Sequence, residues 1–396
     1  MNVLIIAPFP PLPESSGSKM RAMTLLRSLA GHQVFLVAFC GADEPIDLAG
    51  LQKSFAEVHV FPRPKMGFAK VFLNHFSPRP LLAKRFFLRS ARSRIRQLVR
   101  ERQIDLVISE TLIMTGYFRG MSGPYRVLDE HNLEFIRAGR RVPMTRNGFK
   151  KFYYYLIMRR MRHHEINAVN AADICLTCSE EDAMTIGRLC SPTRIVAVPN
   201  TVDSEYFRPA SAARDPLRIV YIGSMWYEPN VDAMRYFCRE VLPLIRQKAS
   251  DVTLVIAGDE PTHEVRKLGL EKGVTVTGFL ADIRPFLASA SVFVAPLRMG
   301  SGTRLKILVA MAMGIPVVST SIAAEGIAVQ DGMNIRIADD SYAFADAVTC
   351  ILADPAQQKK LAAGGRKLVL ENYSCQAVDR QLRCVWQEIA QGLEAK

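Results

Sequence analysis

SVFVAPLRMGSGTRLKILVAMAMGIPVVST, residues 291–320, contains a complete strand–turn–helix–strand unit. Ser291 to Leu297 reads as a strand buried on both faces. Leu305, Leu308, Val309 and Ala312 then recur at helical spacing, and IPVVST (315–320) returns as a second strand. Between them Gly300, Ser301, Gly302 and Thr303 make a turn that places the start of a helix, predicted over 303–313, at the end of a strand. Unpaired backbone N–H groups and the positive end of the helix dipole favour an anion there. Arg298, Arg304 and Lys306 add what reads as mobile positive charge, so a phosphate or diphosphate is the expected guest.

Working outward, the same alternation fills the chain. Strand-like runs stand at 3–8, 33–39, 58–61, 105–110, 126–130, 173–178 and 194–200, with helical stretches near 19–30, 80–102 and 147–171. The second half repeats the scheme with strands at 218–223, 252–258 and 274–278, a helix from Val231 to Arg246 and helices through most of 341–391. Such alternation predicts α/β architecture, two doubly wound parallel sheets with helices on both faces. Proline, serine and charge replace periodicity near 203–216, which divides the chain into a domain at 1–202, a linker at 203–216, a domain at 217–372 and a last helix at 373–396. Two such domains facing across a cleft would hold ligands at their strand ends.

With 396 residues, 49% of them hydrophobic, the chain can bury two cores. No apolar stretch reaches the length of a membrane helix, and MNVLIIAPFPP lacks a basic start, so a strand and a cytosolic protein are expected rather than a signal peptide. The eight cysteines are scattered; Cys175 and Cys178 form a CxxC within a strand end, with no second pair at zinc-ribbon spacing, and read as packed thiols.

The net charge of +13 lies entirely in residues 1–200, which carry 29 Lys and Arg against 16 Asp and Glu. From Arg63 to Arg102 there are twelve basic residues and one acidic, and from Arg137 to Arg162 nine basic and none acidic. Arg85, Arg89, Arg92, Arg96 and Arg100 repeat on one helical face, which a solvated surface would explain. Aromatics mixed with bases in FKKFYYYLIMRRMRHH (149–164) and HFSPRPLLAKRFFLR (75–89) point further, to peripheral contact with an anionic membrane. The chain lacks recognisable nucleic-acid modules, which sets that use of the charge aside.

Further runs sit where ligands would meet strand ends. Ser16 and Gly17 turn into a helix after the first strand, either as an ordinary turn or as amides for a phosphate. VLDEHNLEF (127–135) puts Asp129, His131, Asn132 and Glu134 just beyond a strand, where a cleft residue would lie; His131 either serves a cap or turn or donates to a sugar hydroxyl or phosphate, and with an ordinary imidazole pKa would change charge near neutrality. Gly223 and Ser224 end the strand at 218–223, and Gly278 and Phe279 follow that at 274–278. Glu325 follows the 315–320 strand as a ligand group or a helix cap.

The 298–320 run resembles the donor-binding motif of retaining glycosyltransferases of family four, and the order of motifs over almost the whole chain is similar to the two-domain GT-B fold. The resemblance implies transfer of a sugar from a nucleoside diphosphate donor, held by the second domain, to a lipid-linked or glycan acceptor in the first. It makes His131, Arg304 and Lys306 the candidate catalytic residues. Ser16, Gly17, Gly223, Ser224, Gly278, Phe279, Arg298, Gly300, Ser301, Gly302, Thr303 and Glu325 become candidate donor contacts. Much of the family takes an Arg and a Lys from the stretch after Gly223, where this chain has Ser224 and Asn230. The family's usual pair of glutamates is replaced by Ser301 and Val309, so a ribose contact is missing from the pattern. No Asp-x-Asp pair follows a strand, so a metal-independent reaction with no separate cofactor is expected. A nucleotide-sugar epimerase of the same fold, and a weakened relative that binds membrane or a partner, remain the alternatives.

Overall fold

The computed structural model describes residues 1–14, 16–42, 44–63, 86–145, 147–190, 194–210, 214–300 and 302–394. Ser301, Arg85 and residues 75–84 of the basic–aromatic stretch lie outside the described residues. The chain forms two compact units, Met1–Asn200 with Val378–Lys396, and Thr201–Ala377.

The first unit carries β1 (Asn2–Ala7), β2 (Gln33–Cys40), β3 (Glu57–Pro62), β4 (Leu106–Glu110), β5 (Tyr125–Glu130), β6 (Ile174–Thr177) and β7 (Arg194–Ala197). They form one parallel sheet in the order β3-β2-β1-β4-β5-β6-β7. Both faces are covered, which is why its strands read as continuous apolar runs. In β1 the two-residue period sends Val3, Ile5 and Ala7 into one core and Leu4 and Ile6 into the other. Helix Gly17–Ser28 and residues 378–389 of the last helix, Cys375–Glu394, build the first of these cores; the buried Trp386 donates its Nε1–H to Ser28 Oγ at 2.8 Å. Helices Arg89–Glu101 and Gly148–Asn170 close the second.

The second unit holds β8 (Arg218–Ile222), β9 (Thr253–Ala257), β10 (Val274–Gly278), β11 (Val292–Ala295), β12 (Val317–Ser319) and β13 (Arg336–Ile337), parallel in the order β10-β9-β8-β11-β12-β13. The strand order of each sheet reverses once, between β1 and β4 and between β8 and β11, and a crevice at the carboxyl ends of the strands forms at such a reversal. The helix expected from Val231 to Arg246 is present, running without interruption from Glu228 to Lys248 with one irregular turn. A π turn, Phe237–Val241, joins Glu228–Tyr236 to Leu242–Lys248, because Pro243 has no N–H to continue the ladder. The helix expected from 303 starts only at Leu305, since Gly302 takes φ +79 and Arg304 occupies the non-helical cap. β13 has two residues and no periodicity to announce it. Cys175 lies within β6, and both CxxC thiols are free and buried; burial pushes Cys178 up to about 12.

Candidate active site

In the second unit, Gly223, ending β8, and the glycine turn after β11 lie on the two sides of the sheet's reversal. The backbone is tight here. A Cβ on Gly258 would lie 1.8 Å from the Gly223 carbonyl oxygen, and one on Gly223 would lie 2.5 Å from Lys306 Nζ. Lys306, on the first turn of helix Leu305–Ala312, donates to the Tyr221 hydroxyl at 2.7 Å and to Asn230 Oδ1 at 2.8 Å, its ammonium 4.2 Å from the Tyr221 ring. Tyr221 in turn donates to Asn230 Oδ1 at 2.7 Å, and Asn230 Nδ2 to the Ser224 carbonyl at 2.9 Å. Burial, followed by the nearby Arg304 guanidinium, pushes the Lys306 pKa well below that of an ordinary lysine.

The three cations are therefore not mobile, contrary to the sequence reading. Lys306 is clamped by neutral oxygens. Arg304 is buried and curls back so that Nη1 donates to the Gly302 carbonyl, and a Cβ on Gly300 would strike its guanidinium. Arg298 is committed to Asp232, donating through Nε at 3.1 Å and Nη2 at 2.8 Å, with its guanidinium 4.5 Å from the Tyr236 ring. Thr303 Oγ1 is buried without a hydrogen-bond partner among the described residues. Phe279 stands 77% exposed after β10, and Gly278 takes φ +71 to launch that loop. Glu325 is half-buried just after helix Ser321–Ala324, and Val309 is half-buried against the core.

In the first unit, β5 explains the cluster at its end. The two-residue period that sends Val127 and Leu128 to opposite faces does the same to Asp129 and Glu130. Asp129 meets Arg21 of helix Gly17–Ser28, whose Nε donates to both carboxylate oxygens at 2.9 Å while Nη1 reaches the Val198 carbonyl at 2.8 Å. Glu130 goes to the side of helix Gly148–Asn170, where Glu165 accepts from the Glu134 and Phe135 amides at 2.9 and 3.0 Å. Just past the strand, His131 Nε2 sits 3.0 Å from Asp129 Oδ2 and 3.1 Å from Glu110 Oε2.

Burial disfavours the imidazolium, but Asp129 and then Glu110 outweigh it and push His131 to about 9. The expectation that His131 changes charge near neutrality is thus overturned; it is charged there. Burial also acts against the Asp129 carboxylate, yet Arg21 and His131 bring it to about 2. Glu110 and Glu130 are raised by burial. Ser16 accepts from the Lys19 amide at 3.4 Å as the cap of helix Gly17–Ser28. Arg21 and Glu110 were not among the sequence candidates, whereas Asp129 was, as a strand-end residue. The available signal was two acids, Glu110 and Asp129, ending apolar strands. Glu110, Asp129 and His131 are close enough to share a metal ion, which would have to compete with Arg21 for Asp129 and displace the proton that the two carboxylates favour on His131.

Two family models match the chain. Glycosyltransferase Family 4 covers residues 16–206, and Glycosyl transferases group 1 covers residues 216–354. The chain belongs to glycosyltransferase family four. This family-four glycosyltransferase is 21% identical over 394 residues to an uncharacterised 44.6 kDa protein of the cps region of Klebsiella pneumoniae, covering 95% of this chain and 97% of that protein. It is 25% identical over 296 residues to alpha-maltose-1-phosphate synthase of Mycobacterium tuberculosis, covering 66% and 73% respectively. Among solved structures, sucrose-phosphate synthase from Thermosynechococcus elongatus superposes with a TM-score of 0.73 at 15% identity, over 99% of this chain and 100% of that one. Anabaena HepE in complex with UDP gives 0.66 at 14%, over 98% and 100%. The fold is GT-B, two parallel-sheet α/β units of seven and six strands.

Proposed function

We propose that this glycosyltransferase moves a sugar from a nucleoside diphosphate donor to a lipid-linked or glycan acceptor, with retention at the anomeric carbon and without a metal. The second unit takes the donor and the first the acceptor. One observation carries the reading: at the reversal of the strand order in the second sheet, the buried Lys306 donates to the neutral oxygens of Tyr221 and Asn230, with no carboxylate partner among the described residues, beside a glycine turn and a helix start. Such a set is completed by an anion, and a departing diphosphate gains charge as the glycosyl bond breaks, so cations aimed there favour the transition state over the ground state. The acceptor oxygen bonds to the anomeric carbon, the bond to the diphosphate breaks, and the acceptor proton passes to the departing phosphate. Lys306 and Arg304 hold the diphosphate, with the amides of Gly302 and Thr303. Gly278 and Phe279 offer a ledge for the base, and His131, charged at neutral pH, donates to sugar or phosphate rather than acting as a base.

The proposed place of action is the cytoplasmic face of a membrane. No helix among the described residues is long and apolar enough to cross one. Support for surface contact comes from helix Gly148–Asn170, whose first turns expose Phe149 (82%), Phe152 (60%) and Tyr155 beside Lys150 and Lys151. Sedimentation with anionic vesicles at low salt tests this; an absence of binding would refute it.

A weakened transferase is the second reading, favoured by Val309, which offers no acid to a ribose. The deciding experiment is a screen of UDP, GDP and ADP sugars for thermal stabilisation, then turnover with membrane extracts and assignment of the product anomer by NMR. Stabilisation without transfer supports the weakened enzyme, an inverted anomer removes retention, and interconversion of the donor sugar alone makes the protein an epimerase.

A further inference from the structure

In the first unit a cavity of about 350 Å³, a volume typical of small-molecule sites, opens at the carboxyl ends of β1, β4 and β5. Phe9, Phe86, Leu112, Ile113 and Met161 supply an apolar side suited to the face of a sugar ring, and Glu130 and His131 supply polar groups. We propose that this cavity binds a sugar bearing an oxyanion, a phosphate monoester or a carboxylate, with His131 and Glu130 as hydrogen-bond donors and Glu110 as the residue that positions His131. The proposal rests on the first unit being the acceptor side.

The geometry argues for donors rather than bases. Both carboxylates reach the same ring nitrogen of His131, Nε2, so that nitrogen is spent and the ring is held, leaving Nδ1 for a ligand. Arg21 grips Asp129 from helix Gly17–Ser28, which keeps that carboxylate ionised and fixed. Glu130 is only 2% exposed, yet its Oε2 has no hydrogen-bond partner among the described residues. Burial and the neighbouring Glu165 raise its pKa well above that of an ordinary carboxyl, which favours the protonated form, an O–H donor at the cavity wall. The other charged groups on the wall do not reverse this: Glu134 is paired with Arg137, Arg63 with Glu44, and His164 adds a further imidazole. An imidazolium and a neutral carboxyl are matched by an acceptor-only ligand, which an oxyanion is and a hydroxyl is not.

The test uses the full chain without nucleotide and follows the His131 ring signal by NMR, assigned by its loss in His131→Asn. The probes are glucose 6-phosphate, glucuronate and, as the neutral match, glucose. At pH 7 at least one anion should bind ten-fold or more tighter than glucose. Phosphate alone would indicate a phosphorylated acceptor, carboxylate alone a uronic acid, and both a site that reads charge only. Affinity should fall ten-fold or more from pH 7 to pH 10 as His131 loses its proton. Glu110→Gln should move that fall to lower pH by about one unit while leaving binding at pH 6 intact, which a merely structural residue would not do. Glucose binding as tightly as both anions, or affinity flat from pH 7 to 10 in the wild type, would overturn the proposal whether or not the variant folds. Sugar transfer to a neutral acceptor with no anion binding would remove this inference and leave the glycosyltransferase reading standing.

Discussion

The two units bury positive charge in opposite ways. In the first, Arg21 and His131 face carboxylates, and His131 rises to about 9. In the second, Lys306 faces a tyrosine hydroxyl and an asparagine oxygen and falls well below its usual range. Desolvation acts against every one of these cations; Arg21 and His131 have carboxylates beside them, whereas Lys306 has none among the described residues. One cluster is complete before any ligand arrives, whereas the other is electrically unfinished.

Breaking the comparison begins with Asp129→Ala, which strands two buried cations and should cost about 3–5 kcal/mol of stability by denaturant unfolding. A loss below about 1 kcal/mol would mean that the first unit does not depend on its carboxylate. Lys306→Met removes a buried cation that has no carboxylate partner among the described contacts, so Tm should hold or rise while turnover falls about 10²–10³-fold, some 2.7–4 kcal/mol. A joint loss of Tm and turnover would make Lys306 structural instead.

The third test is pH. His131 carries a folded pKa of about 9 against about 6.5 unfolded, so its contribution is full below about pH 6.5 and is lost as pH rises through 9. Glu165, raised to about 8, acts with the same sign between roughly pH 4.5 and 8. Between pH 7 and 9 the wild type should lose about 3–4 kcal/mol, about 2 of it from His131 and the rest from Glu165. His131→Asn should flatten most of that slope in Tm against pH, and an equally steep mutant would assign it elsewhere. The smallest effect expected is from Val309→Glu, which should tighten donor binding about ten-fold, roughly 1.5 kcal/mol, by restoring a ribose acceptor. An unchanged dissociation constant would show that the missing acid is not what limits affinity.

The fold was legible because both sheets are parallel and covered on both faces, so runs such as VLIIA and VFVA declare themselves without help from their partners. The glycine turn was legible for the same local reason. What escaped were arrangements made by distance. Arg21 and Asp129 stand 108 positions apart, and Lys306 and Tyr221 stand 85 apart, each pair joined only when the fold brings the start of a helix against a distant strand. Charge state escaped as well, since a histidine in a sequence looks switchable and Lys306 looks like a flexible arm. Only burial and the identity of the nearest oxygens separate a fixed imidazolium from a suppressed ammonium.

Trp386 gives the order of synthesis a structural meaning. The ribosome completes residues 201–377, an uninterrupted unit, before it delivers Val378, Leu382, Val385, Trp386 and Ile389 to a core begun by Val3 and Ile5. The domain translated first is therefore the one finished last. Its nascent form carries an open apolar seam along helix Gly17–Ser28, prone to aggregation until the last helix emerges to cover it.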